Sequence, residues 1–273
     1  MAFVTVGKEN SANIDLYYED RGSGRPVVLV HGWPLNGGSW ERQSAVLLAA
    51  GFRVITYDRR GFGRSSAPST GYNYDTLSDD LAVLMRHLDL RDVSLAGFSM
   101  GGGEVARYMG KSGGERVSKI AFISSIAPAL RKDGNNPDGV DPSVFEGIKG
   151  GIEADRYAFL TQFLKGFFNV GKTDISDDAV RASWNVAAGS SYQAMLNCVD
   201  AWLEDFRGDL KTVKVPTLVV HGDSDQIIPL EHSGARMPQY VPQAKLHVVK
   251  NAPHGLNWTH ATELNKALLE FVR

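Results

Sequence analysis

Residues Gly97-Phe98-Ser99-Met100-Gly101 are the most informative five in this chain. It follows the apolar run 93–96 and precedes good helix formers at 104–109. A G-x-S-x-G motif between a strand and a helix is the sequence form of a nucleophile elbow, a turn too tight for side chains on either side of the serine. Such a turn presents the hydroxyl at a helix N-terminus, where backbone N–H groups favour developing negative charge. We therefore predict that Ser99 is a catalytic nucleophile.

Strand and helix patterns alternate on both sides of this turn. Two segments with alternating apolar and polar residues, 3–6 and 14–19, predict an antiparallel pair at a sheet edge. Apolar runs typical of strands buried on both faces follow at 27–30, 52–57, 93–96, 119–124, 217–220 and 246–249. Helical patterns lie between most of them, at 39–50, 76–88, 102–109 and 259–271. This order predicts an α/β fold with a mostly parallel sheet covered by helices on both faces.

The alternation is interrupted once. After Pro128 the polar segment 131–142 predicts a loop, and helix-like sequence without a clear strand continues to about Leu210. Pro216 then precedes the next strand. We predict a core built from residues 1–128 and 211–273, with a helical cap inserted at 129–210.

Ser99 needs a base and an acid, because a serine hydroxyl is a weak nucleophile at neutral pH. In proteins with this elbow the chain order is serine, then acid, then histidine. His254 follows the run 246–249 in a loop with proline and glycine neighbours, and we predict it as the base. Asp225 is the predicted orienting acid, while Asp223, beside Gly222, is expected to cap the turn.

A tetrahedral intermediate also needs two hydrogen-bond donors for its oxyanion. One should be the backbone N–H of Met100, directly after the nucleophile. The other should come from the loop after 27–30, which reads His31-Gly32-Trp33-Pro34. Proline has no N–H to donate, so we predict the backbone N–H of Trp33.

Side chains between the core and the cap should line a substrate pocket, since such sites favour aromatic and apolar groups. The predicted lining residues are Trp33, Phe98, Ile126, Phe145, Phe159, Phe163 and Ile227.

Several polar residues near the motifs are expected to be structural. His31 and His221 stand at strand ends before glycine, where hydrogen-bonded packing is the expected role. The charged cluster 58–60 is expected to stabilise its loop rather than to bind an anion. The single cysteine, Cys198, cannot form an internal disulfide and is expected to be a buried structural thiol.

Composition excludes several classes of protein. Apolar residues at 43% and charged residues at 22% are typical of a globular domain. A net charge of −2 leaves no basic footprint for nucleic acid. No apolar stretch approaches the ~20 residues of a membrane span, and no secretory signal is evident, so we expect a cytoplasmic protein. We expect no metal site, because only one cysteine is present and His31 and His221 lack ligand-type spacing.

Together these motifs resemble the α/β-hydrolase superfamily and, within it, the cofactor-free bacterial haloperoxidases (perhydrolases) and their aryl esterase relatives. The likeness runs along nearly the whole chain. Its markers are residues 31–36, 58–65, 97–108, 221–225 and 252–255.

The resemblance implies a Ser99–His254–Asp225 triad with oxyanion donors at Trp33 and Met100. It implies hydrolysis of small carboxylic esters through an acyl-enzyme, with hydrogen peroxide able to replace water, and it suggests self-association into a homo-oligomer. We add the hypothesis that Pro34 favours perhydrolysis by fixing the backbone beside the acyl group.

Three alternatives use the same scaffold. An amidase or γ-lactamase acting on a small cyclic amide would share every catalytic residue. A hydroxynitrile lyase would need a positive charge near the substrate, for which the cap offers Lys165 and Lys172. A ligand-sensing receptor on a hydrolase scaffold is the non-enzymatic alternative.

Overall fold

The structure is a computed structural model that describes residues 2–273, and within these residues eight strands form one sheet. The strands are β1 (Ala2–Glu9), β2 (Ala12–Arg21), β3 (Pro26–Val30), β4 (Arg53–Tyr57), β5 (Val93–Phe98), β6 (Val117–Ile123), β7 (Thr217–Gly222) and β8 (Ala244–Val249). Their order across the sheet is β1-β2-β4-β3-β5-β6-β7-β8. The α-helices are α1 (Glu41–Ala49), α2 (Tyr74–His87), α3 (Met100–Ser112), α4 (Pro142–Phe168), α5 (Asp177–Ala188), α6 (Tyr192–Ala201), α7 (Arg207–Leu210), α8 (Leu256–Thr259) and α9 (Ala261–Val272).

The sheet is antiparallel at one edge and parallel elsewhere. β1 pairs with β2 and β2 with β4 in antiparallel register, whereas all pairings from β4 to β8 are parallel. β5 lies near the centre of the sheet and is buried along its whole length, as its short apolar run predicts. Helices α1 and α9 pack together, and α2 packs on α3. The predicted α/β-hydrolase fold is confirmed.

The elbow between β5 and α3 has the backbone conformation that its glycines permit. Ser99 has φ 53° and ψ −120°, a region that residues with side chains rarely occupy. A Cβ on Gly97 would overlap the carbonyl oxygen of Gly101, and a Cβ on Gly101 would overlap that of Val30. The close approach of these backbones, together with the φ of Ser99, places the serine at the start of α3.

Helices α4 to α7 occupy the chain between β6 and β7, where the sequence predicted an insertion. α4 is interrupted at Asp155, whose carboxylate then accepts from the N–H groups of Tyr157 and Ala158 and caps the second half. Ser176 and Ser191 cap α5 and α6 in the same way. The helical content of this segment is as predicted, and the division into core and cap stays a prediction.

The interior includes the single thiol of the chain. Cys198 lies in α6 and is buried, as predicted, and burial raises the pKa of its thiol to about 12. A thiol with that pKa stays protonated and unreactive at neutral pH. Among residues 2–273, no helix combines the length and apolar character needed to cross a bilayer.

Candidate active site

Ser99, His254 and Asp225 meet at the carboxyl ends of the parallel strands. Nε2 of His254 lies 2.9 Å from Oγ of Ser99, and Nδ1 lies 2.7 Å from Oδ2 of Asp225. An ionised carboxylate only accepts hydrogen bonds, so Nδ1 carries the imidazole proton and Nε2 is free to accept from the serine hydroxyl. The structure thus brings together the three residues that the sequence proposed, in the arrangement that base catalysis needs.

The loop after β7 holds the Asp225 carboxylate in place. Oδ1 accepts from the backbone N–H of Ile227 at 2.9 Å and of Ile228 at 2.8 Å, which leaves Oδ2 for His254. Burial alone would raise the pKa of Asp225, but the charge of His254 and hydrogen bonds from His221 and His254 outweigh it and hold that pKa below its usual range. The group is therefore ionised at neutral pH, as an orienting acid must be.

Asp223 takes the structural role predicted for it. It is exposed, and its Oδ1 accepts from the backbone N–H of Asn251 at 2.6 Å and from the hydroxyl of Ser224 at 3.2 Å. These bonds tie the turn after β7 to the turn after β8. Asp223 makes no hydrogen bond to His254 among the described residues.

Two aromatic rings hold the imidazole of His254. The ring centroids of Phe98 and Phe167 lie 5.2 Å and 5.1 Å from that of His254. The N–H of Gly255 also donates to the carbonyl of Phe167 at 2.8 Å, so the end of α4 is bonded to the loop that carries the base. Sequence reasoning did not assign a role to Phe167, because it was one of many aromatic residues in the inserted segment.

The two predicted oxyanion donors belong to different elements, α3 and the loop after β3. Met100 is the first residue of α3, and its carbonyl accepts from the hydroxyl of Tyr74 at 2.9 Å. Trp33 follows β3, and its indole Nε1 donates to the carbonyl of Met195 at 3.2 Å, which anchors the ring under α6. Donation by the two backbone N–H groups to an oxyanion stays a prediction.

The other polar residues singled out in the sequence form structural bonds. Asp58 accepts from the N–H of Gly37 at 2.9 Å and from that of Arg64 at 2.8 Å, which stabilises its loop as predicted. His221 is buried, and its Nε2 donates to the carbonyl of Ile228 at 2.8 Å and lies 3.3 Å from Oδ2 of Asp225. This bond supports the turn that carries Asp225.

A small cavity of about 40 Å³ opens at Ser99. Apart from Ser99, its walls are formed by apolar and aromatic side chains. The predicted lining residues that the structure places there are Trp33, Ile126, Phe145, Phe163 and Ile227. Those that sequence reasoning missed are Leu130, Val140, Val144, Ile148, Trp202 and Ile228.

Two predicted lining residues lie elsewhere. Phe98 is fully buried in β5 behind the base, where it packs against His254. Phe159 stacks on Phe163 with ring centroids 5.8 Å apart and lies 6.3 Å from the ring of Trp33. Phe159 stands one helical turn before Phe163 on the same face of α4, so it lies beside the cavity wall and supports the ring of Phe163 there.

Lys165 and Lys172 are exposed and lie at two surface depressions away from the cavity. The positive charge that the lyase alternative needs is therefore not supplied by either residue. Because no charged side chain lines the cavity among the described residues, its walls suit an uncharged apolar group.

Comparison with known proteins agrees with this architecture. The family described as the alpha/beta hydrolase fold matches residues 25–261. A Synechocystis sp. protein provisionally named as a non-heme chloroperoxidase is 55% identical over 276 residues and covers 100% of both chains. A bifunctional esterase/perhydrolase of Acinetobacter calcoaceticus is 34% identical, again covering 100% of both chains.

The structural comparison gives the same result. The crystal structure of a bromoperoxidase from Bacillus anthracis shares 48% sequence identity, covers 99% of both chains and superposes with a TM-score of 0.95. The family match extends over most of the chain, and the sequence identity to full-length relatives is higher than a shared fold alone would produce. The chain belongs to the α/β hydrolase family.

Proposed function

We propose that this protein is a serine hydrolase of small carboxylic esters that acts through an acyl-enzyme and also catalyses perhydrolysis. The observation that carries the proposal is the hydrogen-bonded series Ser99–His254–Asp225 at the mouth of an uncharged cavity. The name of the Acinetobacter relative, an esterase/perhydrolase, supports both activities.

The acylation half-reaction follows from the hydrogen bonds. Nε2 of His254 takes the proton of Ser99 as Oγ attacks the ester carbonyl. The N–H groups of Trp33 and Met100 stabilise the oxyanion. Collapse of the intermediate breaks the bond to the leaving alcohol, which departs with the proton from His254, and the acyl group stays on Ser99.

In deacylation, His254 removes a proton from water, and the resulting attack releases the carboxylic acid and returns the proton to Ser99. Hydrogen peroxide can take the place of water in this step. Its oxygen then forms the new bond to the acyl carbon, the bond to Ser99 breaks, and a peracid leaves. The peracid oxidises halide to hypohalite in solution and is itself reduced to the carboxylic acid.

The cavity limits the acyl group. Its volume of about 40 Å³ is far below the ~300–1,000 Å³ of a typical ligand pocket. We propose a short acyl chain seated against Phe163 and Trp202. We further propose that residues 129–210 act as a cap, since α4 contributes Phe145 and Phe163 to the cavity wall.

The experiment compares wild type, Ser99→Ala and Ser94→Ala on p-nitrophenyl esters of short and long acids. Ser99→Ala should lose ~10⁶ in turnover if the three residues act as a unit. Ser94 is a buried serine in β5, and its alanine variant should keep the activity. A Ser99→Ala variant that retains most of the rate would refute the proposal.

A bicyclic lactam and a peracetate assay with hydrogen peroxide complete the panel. Faster cleavage of the lactam than of every ester would replace the ester proposal by the lactamase alternative. Binding of these compounds without turnover would instead favour a receptor. Light scattering on the same samples tests the homo-oligomer that the resemblance implies.

A further inference from the structure

The two proposed oxyanion donors lie on different elements, and nothing in the local chain fixes their separation. Met100 begins α3, whereas Trp33 lies in the loop after β3. An oxyanion is stabilised only when both donors reach it at ~2.7–3.1 Å, so a small shift of one element would weaken the hole. The structure must therefore hold α3 and this loop at a fixed spacing.

A single buried guanidinium spans that gap. Nε of Arg59 donates to Oε2 of Glu104, on α3, at 2.7 Å, and Nη2 donates to the carbonyl of His31 at 2.8 Å. Arg59 is 1% exposed and Glu104 is 0% exposed. Arg59 therefore bonds directly to the helix of the nucleophile and to the chain two residues before Trp33.

The same residue also sets the orientation of the His31 ring. The backbone N–H of Arg59 donates to Nε2 of His31 at 3.0 Å, so Nδ1 carries the proton and donates to the carbonyl of Gly32 at 2.9 Å. That carbonyl and the N–H of Trp33 belong to one planar peptide group. The carbonyl of Gly32 also accepts from the N–H of Leu35 at 3.1 Å, so His31 and this turn together fix the direction in which the N–H of Trp33 points.

We propose that Arg59 and Glu104 are positioning residues that set the spacing and alignment of the oxyanion hole. Neither residue lines the cavity, so both act through the backbone that they hold. The hydroxyl of Tyr57 donates to Oε1 of Glu104 and completes the set, here called the oxyanion clamp (Tyr57, Arg59, Glu104). This inference rests on the proposed function.

A neighbouring ion pair provides a matched control. Arg60 donates through Nε and Nη2 to the two carboxylate oxygens of Asp80, both at 2.7 Å, and this pair is also buried. This pair ties the loop after β4 to α2. Among the described residues it makes no bond to the chain around Trp33. Loss of a buried ion pair costs stability wherever it occurs, so only an effect specific to Arg59 reports on the oxyanion hole.

The test compares Arg59→Lys, Glu104→Gln and Arg60→Lys with wild type on p-nitrophenyl acetate and with a trifluoromethyl ketone. The ketone forms a tetrahedral adduct whose oxygen occupies the oxyanion hole, and KM stays unchanged when acylation and deacylation slow by the same factor. For the two clamp variants we expect kcat to fall by about 10–10²-fold, less than the ~10²–10³ for deleting a donor outright. Ketone affinity should fall by the same factor, with KM nearly unchanged, and Arg60→Lys should keep both values.

The acid limb of the pH–rate profile should not move in the clamp variants, because the clamp makes no bond to His254 or Asp225. A shifted limb would mean that the substitutions act through the base and would overturn the proposal. An equal fall of kcat and ketone affinity in Arg60→Lys would also overturn the proposal. A fall of kcat in the clamp variants with unchanged ketone affinity would do the same. Circular dichroism and unfolding curves identify any rate loss that reflects unfolded protein.

If Arg59→Lys does not fold, Tyr57→Phe provides a milder variant. It removes one hydroxyl and leaves the ion pair of Arg59 and Glu104 in place. It should lower kcat and ketone affinity together, and unchanged values for a folded Tyr57→Phe would count against the proposal. A wild-type enzyme that is insensitive to the ketone, with Ser99→Ala still active, would refute the proposed function itself. A ketone-sensitive wild type whose clamp variants bind the ketone as tightly as it does would refute only this inference.

Discussion

Oγ of Ser99 lies 2.9 Å from Nε2 of His254, although 155 positions separate the two residues in the chain. The contact joins the turn after β5 to the turn after β8, at two places where strands of the same sheet end. Carboxyl ends of parallel strands meet at one edge of a sheet, and this geometry brings distant loops together.

The two aspartates after β7 should respond differently to the same substitution. Asp225→Asn should lower kcat by ~10⁴, since an amide in that place favours the wrong imidazole tautomer. Asp223→Asn should retain most of the rate, because Asp223 bonds only to the neighbouring turn. Steady-state kinetics on one ester decides the matter, and a larger loss in Asp223→Asn would contradict the assignment.

Stability should fall as the pH drops, because His31 is buried in its neutral form. Burial, reinforced by the charge of Arg59, holds the pKa of His31 well below its usual range. The unfolded chain takes up a proton below about pH 6.5 and the native protein does not, so the unfolding free energy falls on acidification by up to about 1.4 kcal/mol per pH unit.

Urea unfolding of wild type and His31→Asn between about pH 7 and pH 5 measures this effect. The variant has no imidazole at that position, so its stability should depend less steeply on pH. Equal slopes for the two proteins would show that His31 takes up its proton in the native state as well.

Widening the cavity should change the choice of acyl chain. Phe163→Ala removes a ring from the cavity wall and should raise the rate on butyrate or hexanoate esters relative to acetate. Phe159→Ala, in the same helix, removes a ring that stacks beside Phe163 outside the cavity lining, and it should cost stability with little change in chain preference. The ratio of kcat/KM across the ester series is the readout, and an equal shift in both variants would show that the wall is not what limits chain length.

Substitution of Pro34 should change how the acyl-enzyme partitions between peroxide and water. Pro34 has a fixed φ and its carbonyl accepts from the hydroxyl of Ser190 at 2.9 Å, so the loop beside the acyl group is held on both sides. We expect Pro34→Ala to lower the ratio of peracid to acid formed from one ester. Because the peracid and the acid form from one acyl-enzyme, a change in the acylation rate cancels in their ratio. An unchanged ratio in Pro34→Ala would contradict the hypothesis that Pro34 favours perhydrolysis.

Local patterns were enough to predict the order of the elements and the residues that meet at the site. The elbow around Ser99, the loop of His254 and the turn of Asp225 each follow an apolar run and contain glycine or proline, so their positions at strand ends are encoded within a few residues. The expected bonding of Asp58, Asp223 and His221 followed from the same local reasoning and is confirmed.

The cavity wall could not be predicted in the same way. Phe98 and Phe159 were expected to line it, whereas Trp202 and Val144 do. Which face of a helix or strand meets the cavity depends on how α4 and α6 pack over the sheet. Side-chain type says only that a residue prefers to be buried, not which neighbour it contacts.

The fold, the elbow and the candidate catalytic residues could be predicted because each depends on short-range periodicity and turn chemistry. The size of the cavity and the place of the oxyanion clamp depend instead on tertiary packing. Arg59 and Glu104 are 45 positions apart, and the bond between them exists only because the fold brings the loop after β4 against α3. Contacts of that kind arise from packing in three dimensions, which no local pattern records.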